Sequence, residues 1–107
     1  MSDETVSLRV LGAAPATAVA EPVLLALGAR AGLDVARLDE LAMAFGLVVR
    51  RAGRPLSIEL TPAPGTLTIA LRPVAAAGLD DCRQVLDRLV GAVEVEHDGD
   101  GLVLRAG

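Results

Sequence analysis

The chain has 107 residues, 52% of them apolar, a formal net charge of −4, one aromatic residue (Phe45) and one cysteine (Cys82). That length fits a single compact domain, 1–107, with a core built from Leu, Val, Ile and Ala. The acidic balance argues against a binder of nucleic-acid backbones, the lone cysteine excludes an intrachain disulfide or a multi-cysteine metal site, and the acidic start Met1-Ser2-Asp3-Glu4, with no uncharged apolar run near the ~18 residues of a membrane span, is what a cytoplasmic protein is expected to show.

The first element is a half-buried strand over Val6-Ser7-Leu8-Arg9-Val10, where apolar and polar residues alternate. Gly12 to Thr17 reads as a loop. A helix is expected from Glu21, because Pro22 is tolerated in a first turn. Its inner face is Val23, Leu24, Leu27 and Ala31, and Gly32 stops it. Asp34 then caps a second, longer helix. Val35, Leu38, Ala42, Phe45 and Val49 recur at steps of three and four, with Leu41 and Val48 beside them. Gly53 and Pro55 end it.

Two strands follow. Leu56, Ile58 and Leu60 alternate with Ser57, Glu59 and Thr61, and Leu67, Ile69 and Leu71 alternate with Thr68, Ala70 and Arg72 across a Pro62-Ala63-Pro64-Gly65 turn. An Ala-rich loop runs from Pro73 to Gly78. Asp80 or Asp81 caps a third helix with Cys82, Val85, Leu86, Leu89 and Val90 inward, stopped by Gly91. Val93–Glu96 and Leu102–Arg105 flank His97-Asp98-Gly99-Asp100-Gly101 as a final hairpin. The order β-α-α-β-β-α-β-β predicts an α/β (α+β) two-layer sandwich, with a mixed, mostly antiparallel sheet and the helices on one face.

Several of these segments carry a resemblance. Gly32-Leu33-Asp34 through Leu41-Ala42-Met43-Ala44-Phe45, Leu67 to Arg72, Leu86 to Val95, and Gly99-x-Gly101 before Leu102-Val103-Leu104 are similar to the histidine-kinase-like (GHKL) ATPase fold. More narrowly, the chain resembles the small anti-sigma-factor serine kinases of bacteria. The resemblance implies a Glu general base and, four residues on, a magnesium-holding Asn, and those places hold Leu47 and Arg51. Leu cannot accept a proton, Arg brings a positive charge to a cation's place, and the chain contains no Asn at all. Where the resemblance implies an adenine-reading Asp-x-Gly, the chain has Arg72-Pro73-Val74. The Gly-rich lid is reduced to Ala75-Ala76-Ala77-Gly78.

The remaining residues offer little chemistry. Asp98-Gly99-Asp100-Gly101 lacks the later carboxylates of a calcium loop and reads as a tight turn. His97 has no Ser or Cys partner that can be placed beside it. Cys82 reads as packing, and Asp80, Asp81 and Asp87 as a cap and a solvated face. All ten basic residues are Arg, so no lysine is present for a phosphate loop or a Schiff base. No cofactor, metal or catalytic residue is therefore expected. Arg50, Arg51 and Arg54 are either a solvated helix end that suits the helix dipole or, with Leu47, an anchor for an acidic partner or an anion. The resulting expectation is a non-catalytic regulatory protein-binding domain, an anti-sigma-like fold that has lost nucleotide binding. Its partner is a protein (a sigma factor or its regulator) or a second copy in a homodimer, and neither nucleic acid nor membrane is expected. The alternatives are an anti-sigma-type serine kinase with unrecognised motifs and a structural dimerisation subunit.

Overall fold

The structure, a computed structural model, describes residues 5–89 and 93–107. These form strands β1 (Val6–Val10), β2 (Leu56–Ala63), β3 (Thr66–Arg72), β4 (Val93–Asp98) and β5 (Gly101–Ala106). The helices are α1 (Ala13–Pro15), α2 (Glu21–Ala31), α3 (Val35–Val49) and α4 (Arg83–Leu89). The strands make one sheet in the order β1-β2-β3-β5-β4.

The sheet, expected to be mixed but mostly antiparallel, is antiparallel in all four pairings. Connectivity explains this. The helix pair α2–α3 goes out and returns, so β2 runs back against β1. One helix between β3 and β4 leaves those two strands in the same sense, but β5 inserts between them and opposes both.

One face of the sheet is apolar. Leu56, Ile58 and Leu60 of β2, Leu67, Ile69 and Leu71 of β3, and Leu102 and Leu104 of β5 are all buried. Ser57 and Glu59 are exposed on the other face. Leu24 and Leu27 of α2, Leu41, Phe45 and Val48 of α3, and Leu86 of α4 complete a single core with the apolar face. The molecule is thus the expected two-layer sandwich, with helices on one side. No described buried side chain is polar or charged, so apolar burial holds the layers together, at ~25 cal/mol per Å² removed from water.

Four local expectations need correction. Helix begins at Ala13, not Glu21, and passes through a wide turn at Ala16–Ala20. Pro22 lacks an N–H, and in a regular helix its ring would crowd the carbonyl of Ala18. The widened turn just before it lets the helix continue instead of starting there. Second, the buried stripe of α3 runs Leu41, Ala44, Phe45, Val48 and Val49. Leu38 and Ala42 are only half-buried flanks, and Val35, in the first turn, is 73% exposed. Third, the Ala-rich loop is a 3₁₀ segment from Ala76 to Cys82. Fourth, Val85 is exposed, whereas Cys82 and Leu86 face inward. The side chain of Leu89, and Val90 and Gly91 altogether, lie outside the described residues.

The α2–α3 corner is defined by capping. The Arg37 N–H donates to Asp34 Oδ1 at 2.8 Å, as expected of an N-cap. Gly32 closes α2 at φ 97°, with its N–H on the Ala29 carbonyl. A left-handed φ of this kind favours glycine. Gly28 is a close-approach position: a Cβ there would overlap Leu38 Cδ2. The missing side chain lets α2 and α3 pack together.

Candidate functional site

The four candidate residues leave the C-terminal end of α3 in different directions. Leu47 is half-buried and packs against the core, while Val48 and Val49 beside it are buried. The run Leu47-Val48-Val49 therefore leaves only Leu47 partly outward. A second exposed apolar residue joins it: Met43, one turn earlier, is 56% exposed. Arg50, the C-cap of α3, is exposed. Met43, Leu47 and Arg50 follow one another at steps of four and three, so they share one outer stripe of α3. The four-residue spacing of Met43 from Leu47 is the sequence signal for this stripe, hidden among the apolar residues of the inner face.

Arg51 does not join this stripe. Its Nε donates to Asp81 Oδ1 at 2.7 Å and its Nη2 to Asp81 Oδ2 at 3.0 Å, a bidentate pair. Its Nη1 donates to the Leu47 carbonyl at 2.9 Å. One guanidinium thus satisfies an orphan carbonyl in the last turn of α3 and clasps the Ala76–Cys82 segment to the helix. The hydrogen bond to Asp81 raises the pKa of Arg51 and, in return, holds the Asp81 carboxyl below its ordinary value.

Arg54 points another way. A Cβ on Gly12 would lie 3.6 Å from Arg54 Nε, so that side chain rests over the start of α1. The three arginines are neighbours in sequence without forming one basic surface. Arg50 faces outward, Arg51 is clasped to Asp81 at the surface, and Arg54 covers Gly12.

The segment where the resemblance implies adenine reading is also occupied by backbone structure. The Gly53 N–H donates to the Pro73 carbonyl at 2.8 Å, and a Cβ on Gly53 would lie 2.5 Å from Pro73 Cγ. The Val74 N–H donates to the Asp100 carbonyl at 2.7 Å. Asp100, in the β4–β5 turn, pairs with Arg72 at 3.6 Å. Arg72-Pro73-Val74 is therefore a brace linking the end of α3 to the last hairpin.

This donor set does not suit a magnesium nucleotide. The candidate base position is an aliphatic side chain, the candidate metal ligand is a cation already bonded to a carboxylate, and magnesium takes oxygen ligands. Among the described residues, no three His, Cys, Asp or Glu side chains gather as a metal site. Cys82 is buried, with its thiol on the Leu79 carbonyl at 3.4 Å. His97 and Asp80 are exposed, and the side chain of Asp87 lies outside the described residues. No described helix is long and apolar enough to cross a membrane. Compared with known families the chain matches no family model, and it matches no curated protein.

Proposed function

We propose that this domain is a non-catalytic regulatory binder, an anti-sigma-like fold that engages another protein in the cytoplasm and neither binds nor turns over nucleotide. The observation that carries the reading is the Arg51–Asp81 clasp. A cation bonded to a carboxylate and to the Leu47 carbonyl, Arg51, stands where the resemblance implies a magnesium ligand, and aliphatic Leu47 stands where it implies a general base. Such a group repels a metal ion and offers it no lone pair. The brace from Gly53 to Pro73 supports the same reading at the second motif.

The binding surface in this reading is the outer stripe Met43, Leu47 and Arg50 on α3. Exposed apolar side chains rimmed by Arg are the composition that protein interfaces favour. The partner class is a sigma factor or the protein that regulates one.

Isothermal titration with ATP and ADP in the presence of magnesium tests the first half of the reading. No binding heat is expected, and micromolar affinity or phosphorylation of a partner overturns it. The second half is tested with purified sigma factors and their antagonists. One of them binds the intact domain, and the pair of substitutions Leu47→Glu and Arg50→Glu weakens that binding at least about tenfold. Binding by none of them, or binding indifferent to both substitutions, refutes the surface.

A further inference from the structure

We propose that α3 receives one helix of the partner protein, lying antiparallel to it, with a single large apolar side chain of that helix seated over Gly46. This rests on the α3 stripe being the partner-binding surface, and names the element that the surface takes and the direction in which it lies.

Gly46 sits in mid-helix, where glycine is among the poorest residues. Its φ is not left-handed, and a Cβ there would have open space around it. Nothing in the described fold therefore requires the missing side chain. Gly28 of α2 is the contrast, since Leu38 of α3 fills the space that a Cβ would take. At Gly46 the space is left open, on the outer side of α3.

The neighbours of Gly46 turn that space into a receptacle. Met43, Gly46, Leu47 and Arg50 stand at i, i+3, i+4 and i+7, the four positions that enclose a hole on a helix surface. Met43 is 56% exposed, Leu47 is half-buried and Arg50 is exposed. Two apolar side chains border a bare glycine, a shape and chemistry that suit a Leu or Met knob. Side chains of a second helix fall into such holes at steps of three and four. The amides and carbonyls of α3 are bonded within the helix, so a strand or loop laid on it would leave its own backbone groups unpaired. A helix satisfies its own.

Charge sets the direction. Asp39, one turn before Met43, is exposed, and Glu40 beside it is half-buried. Asp39 and Arg50 are eleven residues apart, about 16 Å along the axis. Helices favour acidic residues near their start and basic residues near their end. An antiparallel partner brings its acidic start to Arg50, whose planar fork takes a carboxylate in two bonds. Its basic end then meets Asp39 and Glu40. A parallel partner would oppose acid to acid and base to base. The occupant is thus an amphipathic helix with Asp or Glu in its first turn, Leu or Met near the middle, and Lys or Arg about three turns after the acid.

The test uses the same purified sigma factors and antagonists. Gly46→Leu and Gly46→Gln fill the hole, one with an apolar and one with a polar side chain, and both favour helix. Urea unfolding should show each variant at least as stable as the parent. Each should weaken partner binding at least about tenfold in isothermal titration. Hydrogen exchange on the complex locates the partner helix. The affinity lost in Arg50→Glu should be restored by reversing an acidic residue at the start of that helix, and not one at its end. Unchanged affinity in both Gly46 variants, a strand or loop over the stripe, or rescue from the far end of the helix overturns the inference. Where Leu47→Glu with Arg50→Glu still weakens binding, those results leave the surface itself standing. Binding by none of the proteins, or binding indifferent to Leu47 and Arg50, overturns the surface and this inference with it.

Discussion

The rotation of α3 about its own axis decides which residues bear the core, and three truncations measure it. Phe45 and Val48 are fully buried, whereas Val35 is 73% exposed, although the spacing in the sequence places all three on or beside one inner face. Phe45→Ala removes the only aromatic side chain from the core and should cost ~3–5 kcal/mol. Val48→Ala deletes two buried methyl groups and should cost ~2–3 kcal/mol. Val35→Ala changes an exposed first-turn residue and gains helix propensity, so it should stay within ~0.5 kcal/mol of the parent. The chain has no Trp or Tyr, so unfolding in urea is followed by far-ultraviolet circular dichroism. With a denaturant slope of ~1–1.5 kcal/mol per molar for a chain of this length, Val48→Ala lowers the midpoint by ~2 M and Val35→Ala leaves it in place. A domain with less total stability than the Phe45→Ala cost would not fold in that variant, and the comparison of the two valines then carries the test. Equal costs for Val35→Ala and Val48→Ala would show that α3 presents a different face, and the assignment of Met43 and Leu47 to the outer stripe would fall with it.

The other predictions concern the clasp and the α2–α3 corner. Asp81 is held below its ordinary pKa by Arg51, so the pair contributes stability above the ordinary carboxylate range that is lost as pH falls through the lowered value. The parent should therefore lose more stability than Asp81→Asn between about pH 5 and pH 2.5, by a margin that shrinks with added salt because the pair is exposed. Parallel acid limbs in pH-dependent urea titrations would count against the clasp. Gly32→Ala forces a side chain into a left-handed φ and should destabilise the domain by ~1–2 kcal/mol, whereas Gly46→Ala, in mid-helix with open space around the site, should be neutral or stabilising. Thermal melts of the two variants check the contrast.

Much of the architecture was legible in the sequence because its signals are local. The alternation in Leu56–Leu60 and Leu67–Leu71 places each residue by a period of two, and both strands bury the residues that the period names. Asp34 and Gly32 announce a helix boundary through chemistry that depends on their immediate neighbours alone. The misreadings arise where tertiary structure breaks a tie. In α3 every position from Leu41 to Val49 is apolar or glycine, so spacing defines a helix without fixing which hundred degrees of it face the sheet. Around Pro22 a rule for regular helices predicted a start, and one widened turn removed the clash on which the rule rests.

The candidate site was harder to read for a related reason. Arg50, Arg51 and Arg54 look like a cluster when written in a line, but helix geometry turns successive residues by about a hundred degrees, so neighbours in sequence point apart. What each arginine does is then decided by its distant partner. For Arg51 that partner is Asp81, thirty residues on, which the sequence offers only as a helix cap. For Arg54 it is Gly12, forty-two residues back, in a segment that reads as loop. In the sequence, Leu47 and Arg51 stand out only through the resemblance, which implies a general base and a magnesium ligand at their places. The geometry shows what Arg51 does in this fold: Asp81 pairs with its charge and the Leu47 carbonyl accepts from its Nη1. An exposed Arg, by contrast, pairs with water at no cost and keeps its fork available, so of the three arginines Arg50 is the one whose surroundings fit recognition of a partner's carboxylate.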